Sequence, residues 1–274
     1  MTIIFKAKTT NAYHIKLLAE LLANNLKIAH FVIDKTGIRL CKMDHHRRIL
    51  VDFVLRADNF SLYKFRRDKM HIGVNLNHFH KILKTIKKKD SLQFVIDDES
   101  LTVLGIKVIP KENNRVTTSY INIQEAQEID IALPCVTSRH VLIASSEFQK
   151  MIKDMSIIGN TINISSKGFS IAFSSNNDGV MRRVVEFGEI DCSDDDSSEN
   201  DENQDYVQNF NTEQLLRITK IAGLSPVLKI FPNNPLLFRS NIDSMGEISI
   251  YIKSKEQLEQ EAVSNTTEKS YDSD

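Results

Sequence analysis

The chain has 274 residues, 41% of them hydrophobic and 26% charged, with a formal net charge of −1. That apolar content excludes wholesale disorder, and the length fits one large domain or two of common size. The near-neutral sum hides an asymmetry: residues 191–205 hold eight acids and no lysine or arginine, so removing them leaves a surplus of seven positive charges.

Cys41, Cys135 and Cys192 are widely spaced and odd in number, which fits a reducing compartment and gives no Cys-x-x-Cys pair for zinc or redox work. The sequence does not open on a long apolar signal core, and no apolar run approaches bilayer length. The expectation is a soluble intracellular protein with no membrane partner.

In chain order, residues 3–8 read as a short strand. Asn11 to about Lys27 reads as a helix burying Ile15, Leu18, Ala19, Leu22 and Leu26, with Lys16 and Lys27 off that face. Residues 28–33 and 38–43 alternate around the turn from Asp34 to Gly37, a hairpin with glycine where positive φ costs little. Residues 49–55 and 60–65 read as further strands. From Leu76 a second helix turns Leu76, Phe79, Ile82, Leu83 and Ile86 inward. Its other side carries Asn77, Lys81, Lys84 and Lys88 in a stripe about 60° wide. Strands follow at 92–96 and 101–106. A third helix, 145–157, sets Phe148, Met151, Ile152 and Met155 inward and Lys150 and Lys153 outward, before strands at 161–165 and 169–173. A fourth, from Thr212 to about Ala222, sets Leu215, Ile218 and Ala222 inward and Arg217 and Lys220 outward, before strands at 227–231 and 236–242.

The helices begin about 65 to 70 residues apart, a period that suits one supersecondary unit each. Three of the four carry a basic pair, three residues apart, on the side turned from the sheet. One such pair is an ordinary solvated surface; a repeated one is an extended positive surface. Residues 120–135 read as a connector between domains 1–119 and 136–253, where Ile131 and Leu133 either anchor the linker or offer a docking surface. Residues 191–205 read as a mobile acidic loop and 254–274 as a disordered tail. Residues 116–123 and 181–187 alternate and are candidate sheet edges. Arg182 and Arg183 either pair there with Glu125 or Glu128 or are solvated.

For catalysis the sequence offers little. His45 and His46 on a strand point to opposite faces, His78 and His80 diverge by about 200° on a helix, and there is no glycine-rich phosphate loop or nucleophile elbow. No catalytic residue, metal ligand or cofactor is expected.

The chain resembles the proliferating cell nuclear antigen family of sliding DNA clamps over most of residues 3–252. The likeness is carried by residues 37–44 (GIRLCKMD), by 73–76 (GVNL) leading into 81–84 (KILK), by 146–148 (SEF) with 154–159 (DMSIIG), and by 243–246 (DSMG). The resemblance implies an α+β clamp fold with two similar domains, each with two helices packed on antiparallel sheets, and three subunits closed head to tail into a ring around duplex DNA without reading its sequence. It implies a processivity factor in DNA replication and repair, placed on DNA by a clamp loader and docking polymerases and other proteins by a short peptide motif. The place of work is then the nucleus, or the site of viral DNA replication if the protein is virus-encoded.

The family's ring-lining basic positions fall on Lys16, Lys81, Lys84, Lys150, Lys153 and Lys220, and the helical reading adds Arg217. Its docking pocket falls on Met43, Arg47, Leu50, Ile131, Leu133, Pro134, Pro235 and Tyr251. The chain departs from the family at Ala23, where a lysine is usual, at Arg47, where a histidine is usual, and at Lys253 and Ser254, which replace Ala-Pro. A clamp-fold subunit of a heterotrimeric damage-checkpoint ring is the alternative within the fold; an enzyme is the less favoured alternative outside it.

Overall fold

The alternating stretches become strands and the 3.6-period stretches become helices in the computed structural model, which describes residues 2–112, 115–127, 130–177, 179–188 and 206–271. The acidic stretch 191–205 lies outside the described residues. The chain forms two compact units, one of residues 1–132, 223–225 and 240–250 and the other of residues 133–222, 226–239 and 251–274.

The first unit runs β1 (Ile3–Thr9), α1 (Ala12–Asn25), β2 (Ile28–Asp34), β3 (Gly37–Met43), β4 (Ile49–Arg56), β5 (Leu62–Phe65), β6 (Lys69–Asn75), α2 (Leu76–Leu83), β7 (Ser91–Asp97), β8 (Val103–Ile109), β9 (Thr117–Asn122) and β10 (Gln124–Glu125). The second runs β11 (Val141–Ala144), α3 (Ser145–Ser156), β12 (Thr161–Lys167), β13 (Ser170–Asn177), β14 (Met181–Gly188), β15 (Tyr206–Asn211), α4 (Thr212–Ile218), β16 (Val227–Phe231) and α5 (Lys255–Tyr271). The last two strands, β17 (Leu236–Ile242) and β18 (Gly246–Ile252), are shared out between the units.

In the first unit an antiparallel sheet has the order β5-β1-β7-β8-β9, and a second sheet carries β10-β6-β2-β3-β4. In the second unit the order is β14-β13-β12-β15, and β11 pairs with β16 outside that four-stranded sheet. The expected domain boundary after residue 119 falls inside β9, which pairs with β8 through Asn122, so the first unit reaches further than the connector reading placed it.

Each unit buries its helices' apolar stripes under phenylalanines. In the first, Phe79 of α2 stands between Phe31 and Phe94, with ring centroids 6.4 and 6.0 Å away. In the second, Phe148 of α3 meets Phe238 at 5.3 Å and Phe173 at 6.4 Å. Burying each such side chain stabilises the fold by roughly 1.5–3 kcal/mol. The expected inward residues of α1 and α3 are all buried. A stripe this well anchored fixes which way the opposite face of each helix points.

The C-terminal stretch differs from the expected disordered tail, because α5 starts at Lys255 and is tied down at its first turn. The Gln257 N–H donates to Ser254 Oγ at 3.1 Å, and the Ser254 N–H donates to Gln257 Oε1 at 3.0 Å, a reciprocal cap. The Glu256 carboxylate accepts from the Asn209 backbone N–H and from Asn209 Nδ2, at 2.7 Å for the latter, on the end strand β15. Burial raises the Glu256 pKa, but these hydrogen bonds outweigh it and hold the carboxyl below its usual range. A folded-state pKa below the unfolded one stabilises above the unfolded value and loses that contribution as pH falls through the folded one. Hydrogen exchange of residues 255–263, taken relative to the intrinsic rate at each pH, should therefore speed up in acid, below the ordinary Glu value of 4.5. Ser254→Ala should speed it at neutral pH by about fivefold, the loss of about 1 kcal/mol of capping.

Candidate nucleic-acid interface and docking residues

Four helices present cations, two in each unit. In the first, Asn75 closes β6 and caps α2, its side chain accepting from the His78 N–H at 3.1 Å. Leu76, Phe79 and Leu83 are then buried, and Lys81 and Lys84 are exposed. In the second, Asn211 repeats the device at the end of β15, accepting from the Glu213 N–H at 3.0 Å. Lys150 and Lys153 on α3 are exposed opposite the buried Phe148, Met151, Ile152 and Met155. None of Lys81, Lys84, Lys150 or Lys153 has an ion-pair partner among the described residues.

The other basic positions are held differently. Lys16 is half-buried on α1, donating from Nζ to the Ile86 carbonyl at 3.0 Å and lying 5.5 Å from the Tyr13 ring centroid. Arg217 pairs with Glu213 one turn earlier on α4, at 2.5 Å, so its charge is shared within the helix. Lys220 is half-buried in a 3-10 turn over residues 219–223, because α4 ends at Ile218 and not near Ala222 as expected. The Thr219 hydroxyl donates to the Leu216 carbonyl at 2.8 Å, a local bond of the kind that tightens the last turn of a helix.

The stripe on α2 is also shorter than the sequence implied. The helix ends at Leu83, and Lys88 sits in a turn closed by Asp90, whose carboxylate accepts from the Lys87 N–H at 2.8 Å. That turn carries Lys88 Nζ to 5.8 Å from the Tyr13 ring centroid, the ring that Lys16 also approaches. Tyr13 thus gathers two cations from distant parts of the chain. No periodicity on α2 reveals this.

The positions expected to form a docking pocket fall in both units. In the first, Met43 and Ile131 are half-buried, Arg47 is exposed and Leu50 is buried. In the second, Leu133 is 48% exposed, Pro134 and Pro235 are half-buried, and Tyr251 is buried. Arg47 is held at φ +55° in the turn between β3 and β4. The buried Asp44 fixes this turn, its Oδ1 accepting from the Arg48 and Ile49 N–H groups at 2.7 and 2.9 Å. Ile131 lines a cavity of about 330 Å³ whose polar wall includes His30, Lys42, Asp52, His71 and Asp130. There burial, then the Lys42 charge, lowers the His30 pKa, and Lys42 Nζ lies 3.1 Å from His30 Nε2.

His45 and His46, expected on a strand, lie in that same turn with their rings 5.3 Å apart. Among the described residues no group of three or more His, Cys, Asp or Glu could hold a metal, and no helix is long and apolar enough to cross a membrane. Both candidate edge strands end their sheets: β9 closes one side of the first unit's five-stranded sheet and β14 one side of the second unit's four-stranded sheet. Val180, just before β14, and Met181, its first residue, are 87% and 55% exposed. Arg183 pairs with Asp154 of α3 at 3.2 Å, while Glu125 lies on β10 and Glu128 falls outside the described residues.

Replacing Asp44 by Ala should strand the Arg48 and Ile49 N–H groups, costing about 2 kcal/mol. Thermal unfolding of the variant checks this, with a lowered midpoint as the expected result.

Comparison with known proteins gives a consistent answer. Residues 4–132 match the model of the N-terminal domain of proliferating cell nuclear antigen, and residues 136–255 that of its C-terminal domain. The chain is 26% identical over 258 residues to the proliferating cell nuclear antigen of Dictyostelium discoideum, covering 92% of this chain and 99% of that protein. It is 24% identical over 261 residues to a probable DNA polymerase sliding clamp of Paramecium bursaria Chlorella virus 1, covering 91% and 96%. The crystal structure of the Entamoeba histolytica proliferating cell nuclear antigen superposes with a TM-score of 0.79 at 20% identity, covering 93% of this chain and all of that one. With both domain models matched along nearly its whole length, the chain belongs to the proliferating cell nuclear antigen family.

Proposed function

We infer that this protein is a DNA sliding clamp that encircles duplex DNA and tethers replication and repair proteins to it. The observation that carries the reading is the recurrence, in both units, of exposed lysines on helices whose other face is locked into a core. Lysines on helix faces attract phosphate through weak, exchangeable contacts, whereas bidentate base readout would arrest movement along the duplex. The family supports the same role and is a binding scaffold, not an enzyme.

The proposed assembly is a ring of three identical chains. Heterologous association needs two different complementary surfaces and closes only at a fixed rotation. The end strands β9 and β14 are our candidates for those surfaces, since each has unpaired backbone groups to offer the next copy. Retention then comes from topology, and each phosphate contact can stay weak. Lys16, Lys81, Lys84, Lys150, Lys153, Arg217 and Lys220 are the proposed phosphate contacts, joined by Lys88 beside Tyr13. The Glu213 pairing makes Arg217 the weaker contributor. A clamp loader would open the ring, and the work would be done in the nucleus or at a site of viral DNA replication.

We further propose that Met43, Arg47, Leu50, Ile131, Leu133, Pro134, Pro235 and Tyr251 take the peptide motif of a polymerase or other client. Leu133 is the most accessible apolar member of the set and so the favoured anchor. Lys253, in place of the family's alanine, forms an ion pair with Glu261 of α5 at 2.5 Å, which brings this helix close to the residues after Tyr251.

Lys81→Glu combined with Lys84→Glu should leave the assembly intact but lower salt-sensitive retention on circular duplex DNA by at least tenfold. Unchanged retention after gel filtration would refute the phosphate assignment. Ile131→Ala combined with Leu133→Ala should abolish calorimetric binding of a polymerase-tail peptide without altering DNA retention.

A further inference from the structure

The sheet that carries β6, β2, β3 and β4 opens at one point. β2 and β3 pair at Asp34–Gly37, Ile33–Ile38 and Val32–Arg39, and the ladder stops there although β2 starts at Ile28 and β3 runs on to Met43. Beyond that last pair the strands part. Four successive residues of β3, Arg39 to Lys42, line the cavity of about 330 Å³. In a strand covered on both edges, alternate side chains face opposite sides of the sheet, so a cavity that meets all four lies in the gap itself. His30 enters it from β2, Asp52 from β4, Lys69 and His71 from β6, and Gln127, Asp130 and Ile131 line its remaining side.

The cavity has two poles of charge. At one, Lys42 Nζ lies 3.1 Å from His30 Nε2. Burial, then the Lys42 charge, keeps the His30 pKa low, so at neutral pH the imidazole accepts a hydrogen bond from the ammonium. Burial lowers the Lys42 pKa as well, and among the described residues no carboxylate pairs with it. An ammonium has three N–H donors, and His30 takes one of them. At the other pole Asp52 stands directly across from Cys41 in the ladder of β3 and β4. Burial first, then the Asp52 and Asp130 charges, push the Cys41 thiol up to about 11, which sets both carboxylates near it. The cavity thus holds a half-buried cation without a counter-ion and two carboxylates that do not reach it.

We propose that this cavity binds a small phosphorylated sugar, with Lys42 holding its phosphate and Asp52 and Asp130 accepting from its hydroxyls. Phosphate supplies the anion that Lys42 lacks, and charge-assisted bonds of this kind are roughly twice as strong as neutral ones. A bare phosphate would meet two carboxylates with nothing to offer them, and an uncharged sugar would leave the ammonium unmatched. A ligand with both ends serves both poles. The size agrees, because small-molecule pockets begin at about 300 Å³. Val32, Leu40 and Ile131 give the carbon skeleton an apolar wall. No lining residue lies on β9 or β14, the strands assigned to the contact between copies, and of the proposed docking set only Ile131 lines the cavity.

The test is calorimetry of the full chain with ribose 5-phosphate at about 0.15 M salt. Saturable binding is expected, with inorganic phosphate and free ribose each weaker by about tenfold or more. Lys42→Gln should weaken ribose 5-phosphate about tenfold, the loss of one charge-assisted contact. Asp130→Ala, at an exposed position, should weaken it about fivefold without weakening inorganic phosphate, a split that mere loss of structure would not give. Saturating ribose 5-phosphate should also slow maleimide labelling of Cys41, which lines the cavity, and leave that of the exposed Cys135 unchanged. Absence of saturable heat, equal binding by the parent and Lys42→Gln, or an unprotected Cys41 at saturation would overturn the proposal. So would equal affinity for free ribose, or a tighter fit of adenosine monophosphate by about tenfold, which would assign the cavity to a nucleotide instead. None of these outcomes bears on the clamp reading, which turns on Lys81 and Lys84.

Discussion

An amphipathic helix that must bury one face has no freedom over where its other face points. In this chain the buried faces are unambiguous: Phe79 is wedged between Phe31 and Phe94, and Phe148 between Phe173 and Phe238. The lysines opposite them are held out into solvent by the same packing, at no cost in buried charge. The two units use this constraint alike, with an asparagine closing the strand that leads into α2 and α4. On the proposed reading, such faces attract a polyanion through exchangeable contacts and do not read bases. Retention can then be left to enclosure, where weak contacts are an advantage because the protein must keep moving.

Much of this was legible from residue patterns. The inward faces of α1 and α3 were readable residue by residue, since 3.6-residue periodicity of large apolar side chains has few other meanings. The hairpin of β2 and β3 was marked by its glycine, whose φ of +151° in the structure comes with a backbone oxygen where a Cβ would stand. What was missed has separate causes. β6, β11 and β15 run into α2, α3 and α4 without an intervening loop, so no turn residues announce them. Lys88 escaped because α2 is shorter than its apolar pattern, and the Asp90 turn redirects the chain. The C-terminal helix was hidden by low apolar content, although the serine at 254 and glutamine at 257 spell a capping box that a closer reading would have found.

The family resemblance gave the proposed docking positions but not their exposure. Leu50 and Tyr251 are both buried, so they are available to a ligand only as part of a wall, while Leu133 stands out into solvent. The turn holding Arg47 is fixed by Asp44, a residue that touches no client in the proposed scheme yet sets the backbone at the family's histidine position. Two departures from the family are held differently: Arg47 is exposed in its turn, and Lys253 is paired with Glu261. On the proposed docking reading, the exposed Arg47 favours clients with an acidic residue beside an apolar anchor.

Enclosure in the proposed ring requires three chains, because a solitary chain has nothing to enclose with. Mass measurement under native conditions on the purified protein tests this directly. A stable species of three times the 31.3 kDa chain mass is the result the account predicts. A monomer across the micromolar range, with no larger species, would contradict it.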